Sequence, residues 1–194
     1  MQLTPRQDYD RNHPPRLIIR GFMKKDVEAL YEYLKSPVTP CFYNERLNSL
    51  SEAEHEVLRR SRDQSQFSVC MRDNDVLIGH LFADNSNEPD NDTWAVGWHF
   101  NQRYEKKGYA TESVTALFDY LFNKKRARRL YAWVEDYNIS SRKLCQRLNM
   151  RYEGCLKEFV SFVSEDGYRK YDDTCIYATL KKEWGSLTTT TGFS

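Results

Sequence analysis

Apolar positions along this chain recur with two periods, and together they predict a mixed fold. Arg16-Leu17-Ile18-Ile19-Arg20-Gly21-Phe22 reads as a first strand. Residues 24–35 carry Val27, Leu30, Tyr31 and Leu34 at helical spacing, and Pro37 and Pro40 end that run. Ser51-Glu52-Ala53-Glu54 predicts an N-cap and an acidic first turn for a second helix closing near Arg62. Phe67-Ser68-Val69-Cys70-Met71 and Val76-Leu77-Ile78-Gly79-His80-Leu81-Phe82 flank Asp73-Asn74-Asp75, a hairpin pattern. A polar turn with Pro89 leads to an aromatic-rich strand, Thr93–Phe100. Residues 108–123 form a helix whose apolar stripe is Val114, Leu117, Phe118, Leu121 and Phe122. A buried strand over 130–134 and a short helix over 138–148 follow. Two long strands close the pattern, 152–164 and 169–180, joined at the turn Glu165-Asp166-Gly167. The order β, α, α, β, β, β, α, β, α, β, β mixes hairpins with crossovers and so predicts a mixed sheet.

Composition narrows this to one soluble globular domain. The 194 residues suffice for a single core, and 13 Tyr, 10 Phe and 4 Trp are too many aromatics for a disordered chain. The domain is expected over 16–184, between a flexible N-terminal segment 1–15 and a flexible C-terminal tail 185–194. Net charge is +1, so no overall field points to nucleic acid or a membrane as partner. Apolar runs are too short to span a bilayer, and the first fifteen residues lack the apolar stretch of a secretion signal. Cys41, Cys70, Cys145, Cys155 and Cys175 are odd in number and widely spaced, which argues for reduced thiols in a cytoplasm and against a disulfide framework or a zinc site.

Two segments carry candidate chemistry. After Trp98-His99-Phe100, the loop Asn101-Gln102-Arg103-Tyr104-Glu105-Lys106-Lys107 runs into a helix opening at Gly108-Tyr109-Ala110-Thr111. Unpaired amides at a helix N-terminus, a glycine that admits close approach, and Arg103, Lys106 and Lys107 nearby suit a pyrophosphate. Asn138-Ile139-Ser140-Ser141 opens the later short helix; taken alone it reads as an ordinary N-cap.

Taken together, these segments resemble the GNAT superfamily of N-acetyltransferases, in the branch that includes the RimJ/RimL ribosomal-protein acetyltransferases. Four pieces carry the resemblance, from about Arg16 to Trp184: Gly108-Tyr109-Ala110-Thr111-Glu112, Asn138-x-x-Ser141, Glu153-Gly154-Cys155-Leu156-Lys157, and Asp173-x-x-x-Tyr177 with Glu183-Trp184. The resemblance implies an α/β (α+β) fold: a twisted, mostly antiparallel mixed sheet of about six or seven strands with about four helices. It also implies a cofactor cleft between splayed central strands. Acetyl-CoA would be the co-substrate, with no metal. Its pantetheine would pair with the backbone at Trp98, His99 and Phe100. Its pyrophosphate would sit on the amides of Lys106, Lys107, Gly108, Tyr109 and Ala110, beside Arg103 and Thr111. Asn138 would bond the pantetheine, and Ser141 would stand near the thioester sulfur. The acceptor pocket would draw on Tyr31, Tyr33, Phe42 and Tyr43. Homodimers are common among such proteins.

The sequence departs from the family pattern at Glu105 and Lys106, and at Asn149-Met150 in place of Gly-Phe. The positions where relatives often carry a catalytic carboxylate hold Ala95 and Val160. That leaves Glu135, Glu158 and His99 as candidates for the base, or a water relay, with Ser141 as donor to the leaving thiolate and a backbone N–H near Phe100 for the oxyanion. The acceptor is expected to be an amine: a protein N-terminus, a lysine or an amino-bearing small molecule. Two other readings stay open. One is a non-catalytic module that binds acetyl-CoA or CoA. The other is an RNA-associated protein using the basic run Lys124-Lys125-Arg126-Ala127-Arg128-Arg129, which also suits a helix C-terminus.

Overall fold

The computed structural model describes residues 2–3, 15–37, 40–163 and 167–186. Its strands are β1 (Gln2–Leu3), β2 (Leu17–Arg20), β3 (Gln66–Met71), β4 (Leu77–Asp84), β5 (Thr93–Phe100), β6 (Arg129–Glu135), β7 (Arg151–Val163) and β8 (Arg169–Leu180). Its helices are α1 (Val27–Leu34), α2 (Leu50–Arg62), α3 (Tyr109–Asn123), α4 (Ile139–Arg147) and α5 (Lys181–Ser186). The strands form one sheet in the order β1-β2-β3-β4-β5-β6-β8-β7. Every pairing is antiparallel except β5 with β6. This is the mixed, mostly antiparallel architecture expected. The elements beyond the expected number are the shortest ones, β1 and α5, which have no hydrophobic period of their own to read. Of segment 1–15, Gln2–Leu3 pairs with β2 and residues 4–14 lie outside the described residues, as do 187–194 of the tail and Glu165 and Asp166 of the last turn.

Two cores flank the sheet. The larger lies under α3 and α4: Val114, Leu117, Phe118, Leu121 and Phe122 are all buried there, as the stripe predicts, with Leu144 and Cys145 of α4. Each such side chain is worth roughly 1.5–3 kcal/mol of burial. Trp184 of α5 caps this core, meeting Phe118 edge to face at 5.3 Å and donating its indole N–H to Asp119 at 2.8 Å. The smaller core joins α1 and α2 to the β2–β4 half of the sheet through Leu30, Tyr33, Leu34, Ala53, Val57, Cys70 and Leu77.

Local sequence explains the helix starts. α2 begins two residues earlier than Ser51 suggests. Its cap is Ser49, whose Oγ accepts from the Glu52 N–H at 3.1 Å, while Glu52 reaches back to the Asn48 N–H at 2.8 Å. Those two reciprocal bonds satisfy amides that Ser51 would have left open. In the basic run, Arg128 pairs with Asp90 and Asp92, and Arg129 with Glu153, while Ala127 is buried. Cys70, Cys145, Cys155 and Cys175 are free thiols; the Cys41 side chain lies outside the described set. No helix among the described residues is long and apolar enough to cross a membrane.

A polar cluster lies where α1 meets β4 and β5. The Tyr33 hydroxyl bonds His80 Nδ1 at 2.9 Å, the His80 and His99 rings meet edge to face at 5.5 Å, and Arg60 ties Glu45 to the group at 2.9 Å. Glu45, His80 and His99 hold ligand-type atoms within 4.8 Å of one another. The Arg60 guanidinium already balances Glu45, however, and its charge opposes a cation there. Burial first, and Arg60 second, hold His99 down at about 4 and His80 well below the ordinary histidine value. Both rings are therefore neutral at pH 7. The unfolded chain binds more protons than the fold below about 6.5, so this stability is fully present above that pH and is lost as pH falls toward 4. Urea unfolding should show stability flat from pH 8 to 7 and declining below 6.5, with His99 alone accounting for about 3 kcal/mol between pH 7 and 4. The His80→Phe/His99→Phe double variant should flatten that decline; an unchanged slope would refute the assignment.

Candidate active site

The site begins where two strands part. β5 and β6 pair only at Thr93↔Arg129, Trp94↔Leu130 and Ala95↔Tyr131. Beyond these, β5 stays zipped to β4 as far as Gly79↔Phe100, and β6 to β8 as far as Glu135↔Thr174. The Asn101 N–H bonds the Ile78 carbonyl on the β4 side. Strand alternation then turns the N–H and C=O groups of Trp98 and Phe100 toward the other edge, into the gap. That edge offers the backbone pairing an extended pantetheine needs.

A cleft of about 680 Å³ runs from this edge along the following loop to α4. Its loop wall folds as a short 3-10 turn, Gln102–Tyr104, then Lys106 at φ 60° and Gly108 at φ 81°, with Gly108 capping α3. Two left-handed residues so close together turn successive amides to one side, a concavity suited to an anion. The first backbone bond inside α3 is from Glu112 to Gly108. Among the described residues, no protein group accepts from the amides of Lys106 to Thr111. Arg103, Lys106, Gly108, Tyr109, Ala110 and Thr111 line the cleft, while Lys107 turns out of it, its ammonium 5.6 Å from the Tyr104 ring centre. Glu105 lines it too. Arg16 braces the loop from behind. Its Nη1 donates to the Lys107 carbonyl at 3.0 Å, its Nη2 pairs with Glu112 at 2.8 Å, and its guanidinium lies 4.6 Å from the Tyr109 ring centre.

The far wall is the start of α4. Asn138 Oδ1 accepts the Ser141 N–H at 3.1 Å, so the Asn-x-x-Ser spacing does cap a helix. It also fixes Ser141, whose Oγ accepts the Trp98 indole N–H at 3.1 Å across the gap. With one lone pair taken by that donor, the single hydroxyl proton of Ser141 is available to donate. Arg142 locks the β6–α4 turn by donating to the Asp136 carbonyl at 2.9 Å and the Tyr177 hydroxyl at 3.1 Å. Lys143 and Arg147, one helical turn apart on α4, add two cations to the cleft. Their i, i+4 spacing is the sequence sign that could have marked them.

A second cleft of about 320 Å³ adjoins the first. Register places its floor: Phe82↔Gly97 and Asp84↔Ala95 pair across β4–β5, and Ala95↔Tyr131 across β5–β6. Phe82, Ala95, Gly97, Tyr131, Trp133 and Glu135 thus share the sheet face that carries α1 and α2, while Leu130, Ala132 and Val134 point into the opposite core. The Phe82 ring lies directly on Gly97, where a Cβ would come within 1.9 Å of it. Trp98, Asn138 and Ser141 line both clefts, so the two meet there.

The expected site residues are thus distributed unevenly. Trp98, His99, Phe100, Asn138 and Ser141 converge with the loop residues; Glu135 joins them from the second cleft. Glu158 lines neither cleft. It sits exposed at φ 48° in a bulge of β7, its N–H bonded to Asp173 at 2.9 Å. Tyr31 and Tyr43 line neither cleft, and the side chain of Phe42 lies outside the described set. Of that expected group Tyr33 alone lines the larger cleft among the described residues, joined by Glu32 and Ser36 of the same region.

Comparison with known proteins agrees with this geometry. The family model described as an acetyltransferase (GNAT) domain matches residues 16–151. YnaD, an uncharacterized N-acetyltransferase of Bacillus subtilis (strain 168), is 33% identical over 171 residues, 87% of this chain and 96% of that protein. A GNAT-family acetyltransferase structure from Bacillus anthracis superposes with TM-score 0.80 at 26% identity, over 94% of this chain and 100% of that one. RimL, a ribosomal L7/L12 alpha-N-protein acetyltransferase solved in complex with coenzyme A, shares the fold at TM-score 0.70 and 19% identity, over 85% and 94% of the two chains. With the divided strands, the open amide loop and the Asn-x-x-Ser helix in their places, the chain belongs to the GNAT family and is an N-acetyltransferase.

Proposed function

We propose that this enzyme moves the acetyl group of acetyl-CoA onto an amine by direct attack in a ternary complex, with the coenzyme in the larger cleft and the amine entering through the smaller one. The observation that carries the reading is that the clefts share only Trp98, Asn138 and Ser141, so two reactants brought in from separate sides would meet at one point. The uncommitted amides between Lys106 and Thr111, with Arg103, Lys106, Lys143 and Arg147, fit the coenzyme's phosphates. Acetyl-CoA supplies a thioester, whose acyl carbon is open to attack without metal assistance.

Each protein group then has a defined task. The amine must lose a proton to attack, since an alkylamine is protonated at neutral pH. Glu135 is the base this reading favours, because it lines the acceptor cleft as Ser141 does and its carboxylate makes no hydrogen bond or ion pair with the described residues. His99 is neutral but too weakly basic at about 4 to hold that proton, and Glu158 is remote. A backbone N–H on the open edge of β5, at Phe100, stabilises the developing oxyanion. Attack forms the C–N bond and a tetrahedral intermediate; its collapse breaks the C–S bond, the Ser141 hydroxyl hydrogen-bonds the departing thiolate, and that thiolate takes its proton from solvent while Glu135 carries the one lost by the amine. A cytoplasmic setting would keep the four free thiols reduced.

Three variants test these assignments. Gly108→Trp places an indole in the phosphate seat at a φ of 81° that side chains rarely adopt; calorimetry should show acetyl-CoA binding weakened at least a hundredfold. Unchanged affinity would remove the loop from the coenzyme site. Ser141→Ala should lower kcat roughly tenfold to a hundredfold with little change in acetyl-CoA affinity. Glu135→Gln should lower kcat by about a hundredfold, again with coenzyme binding intact. Wild-type turnover in either variant would take that residue out of the mechanism, and coenzyme binding without turnover on any amine would reduce the wild-type protein to a binding module.

A further inference from the structure

The acceptor cleft carries chemistry of its own, and we infer that its substrate is a primary amine borne on a flat apolar body, of the arylalkylamine class. This inference rests on the proposed function, in that it takes the smaller cleft as the entry for the amine.

Four observations converge on this class. The first is an uncovered aromatic floor. α1 and α2 shield this face only over the β2–β4 half of the sheet, so the rings beyond it stay open to solvent: Trp133 is 51% exposed, Phe159 45% and Phe82 37%. Exposed aromatic surface gathered at one cleft is the mark of a ligand or partner site. Second, the rings are ordered as a surface. Phe82 is laid flat over Gly97, the Tyr131 and Trp133 centroids are 6.3 Å apart, and Phe159 meets Trp133 edge to face at 4.9 Å. Phe82 fills the space above Gly97, and Ala95, paired with Tyr131, is the small residue left beside it in the cleft floor.

Third, the charges fit one ammonium. Among the described residues the Glu135 carboxylate alone lines this cleft, and it is unpaired there. Nearby, Glu88 accepts the Tyr131 hydroxyl and Asp84 accepts from Ser86 at 2.8 Å, and in the larger cleft Glu32 is bonded by Lys35 at 2.7 Å. A polyamine with several charges would find one partner; a monoamine finds the one it needs. Fourth, the cleft is small, about 320 Å³, at the low end of the roughly 300–1,000 Å³ typical of ligand sites.

The experiment pairs calorimetric titration of the intact protein with acetyl-CoA against thiol release on a matched amine panel: 2-phenylethylamine, tryptamine, ethylamine, spermidine, and a non-aromatic peptide with a free N-terminus. We expect kcat/KM for the two arylalkylamines to exceed that for ethylamine, spermidine and the peptide at least tenfold. Trp133→Ala should bring that preference down to near parity, chiefly by raising KM, and Trp133→Phe should restore most of it. Because Trp133 is half exposed, these variants should unfold at wild-type temperature. If acetyl-CoA binds but spermidine or the peptide is the better acceptor, or if Trp133→Ala keeps the preference, the arylalkylamine inference is overturned while acetyl transfer stands. If acetyl-CoA does not bind, both fall together.

Discussion

The parallel contact between β5 and β6 ends after three residue pairs, and most of what the protein does follows from that early stop. Each strand is held along its length by its antiparallel neighbour, β5 by β4 and β6 by β8. The sheet therefore behaves as two zipped halves hinged at Thr93–Ala95. Between the open ends stand Trp98 from one half and Ser141 from the other, joined by a hydrogen bond of 3.1 Å. That bond bridges the gap without closing it. A strand edge with unpaired amides and carbonyls is costly inside a protein unless something pairs with it. In the proposed complex the partner is the coenzyme chain, and the same defect in the sheet would serve as both the binding edge and the passage between the clefts.

The loop that follows inherits its shape from the same edge. β5 runs out at Phe100, and the chain must reverse within a few residues to enter α3. It does so with Lys106 and Gly108 in left-handed conformations, which leaves a row of amides facing the cleft. Arg16, just ahead of β2, holds this arrangement through Glu112 and the Lys107 carbonyl. The bracing pair is exposed on the arginine side, so its worth lies in fixing the loop's path more than in stability. A cation directed at the back of the loop also adds to the positive field in front of it.

The elements with a long hydrophobic period were legible in the sequence, and so was the loop before α3, because a glycine at a helix start and nearby cations have a local physical meaning. What escaped depends on contacts between distant residues. The apolar spacing of α1 counts Tyr31 with its buried stripe, yet Tyr33 is the ring drawn inward, by a bond to His80 that lies 47 residues away. Two residues along a helix are slightly more than half a turn, so that one bond decides which tyrosine meets the cleft. Glu158 could not be assigned a face by counting, since a bulge between Leu156 and Val160 breaks the period of two. Glu135 lies on an unbroken stretch of β6, and there alternation with buried Leu130, Ala132 and Val134 does hold. The link from Arg16 to Glu112 spans 96 residues and leaves no local trace.

The absence of the carboxylate that relatives often carry on β5 is explained by what the face does instead. With Ala95 and Gly97 there, the floor is low enough for Phe82 to lie across it, and a larger residue at position 97 would displace that ring. The base we propose stands one strand over, at Glu135 at the end of β6, beside the helix that carries Ser141. Glu135 and the helix that carries Ser141 are separated by a single turn, Asp136 to Asn138, which Arg142 holds through the Asp136 carbonyl and the Tyr177 hydroxyl. Neither depends on the neutral histidine cluster beneath α1, whose part is to seat that helix against the sheet. On the proposed mechanism the chemistry is one of placement: a rigid turn sets two ordinary side chains where two clefts converge, and the apolar floor would select which amine arrives.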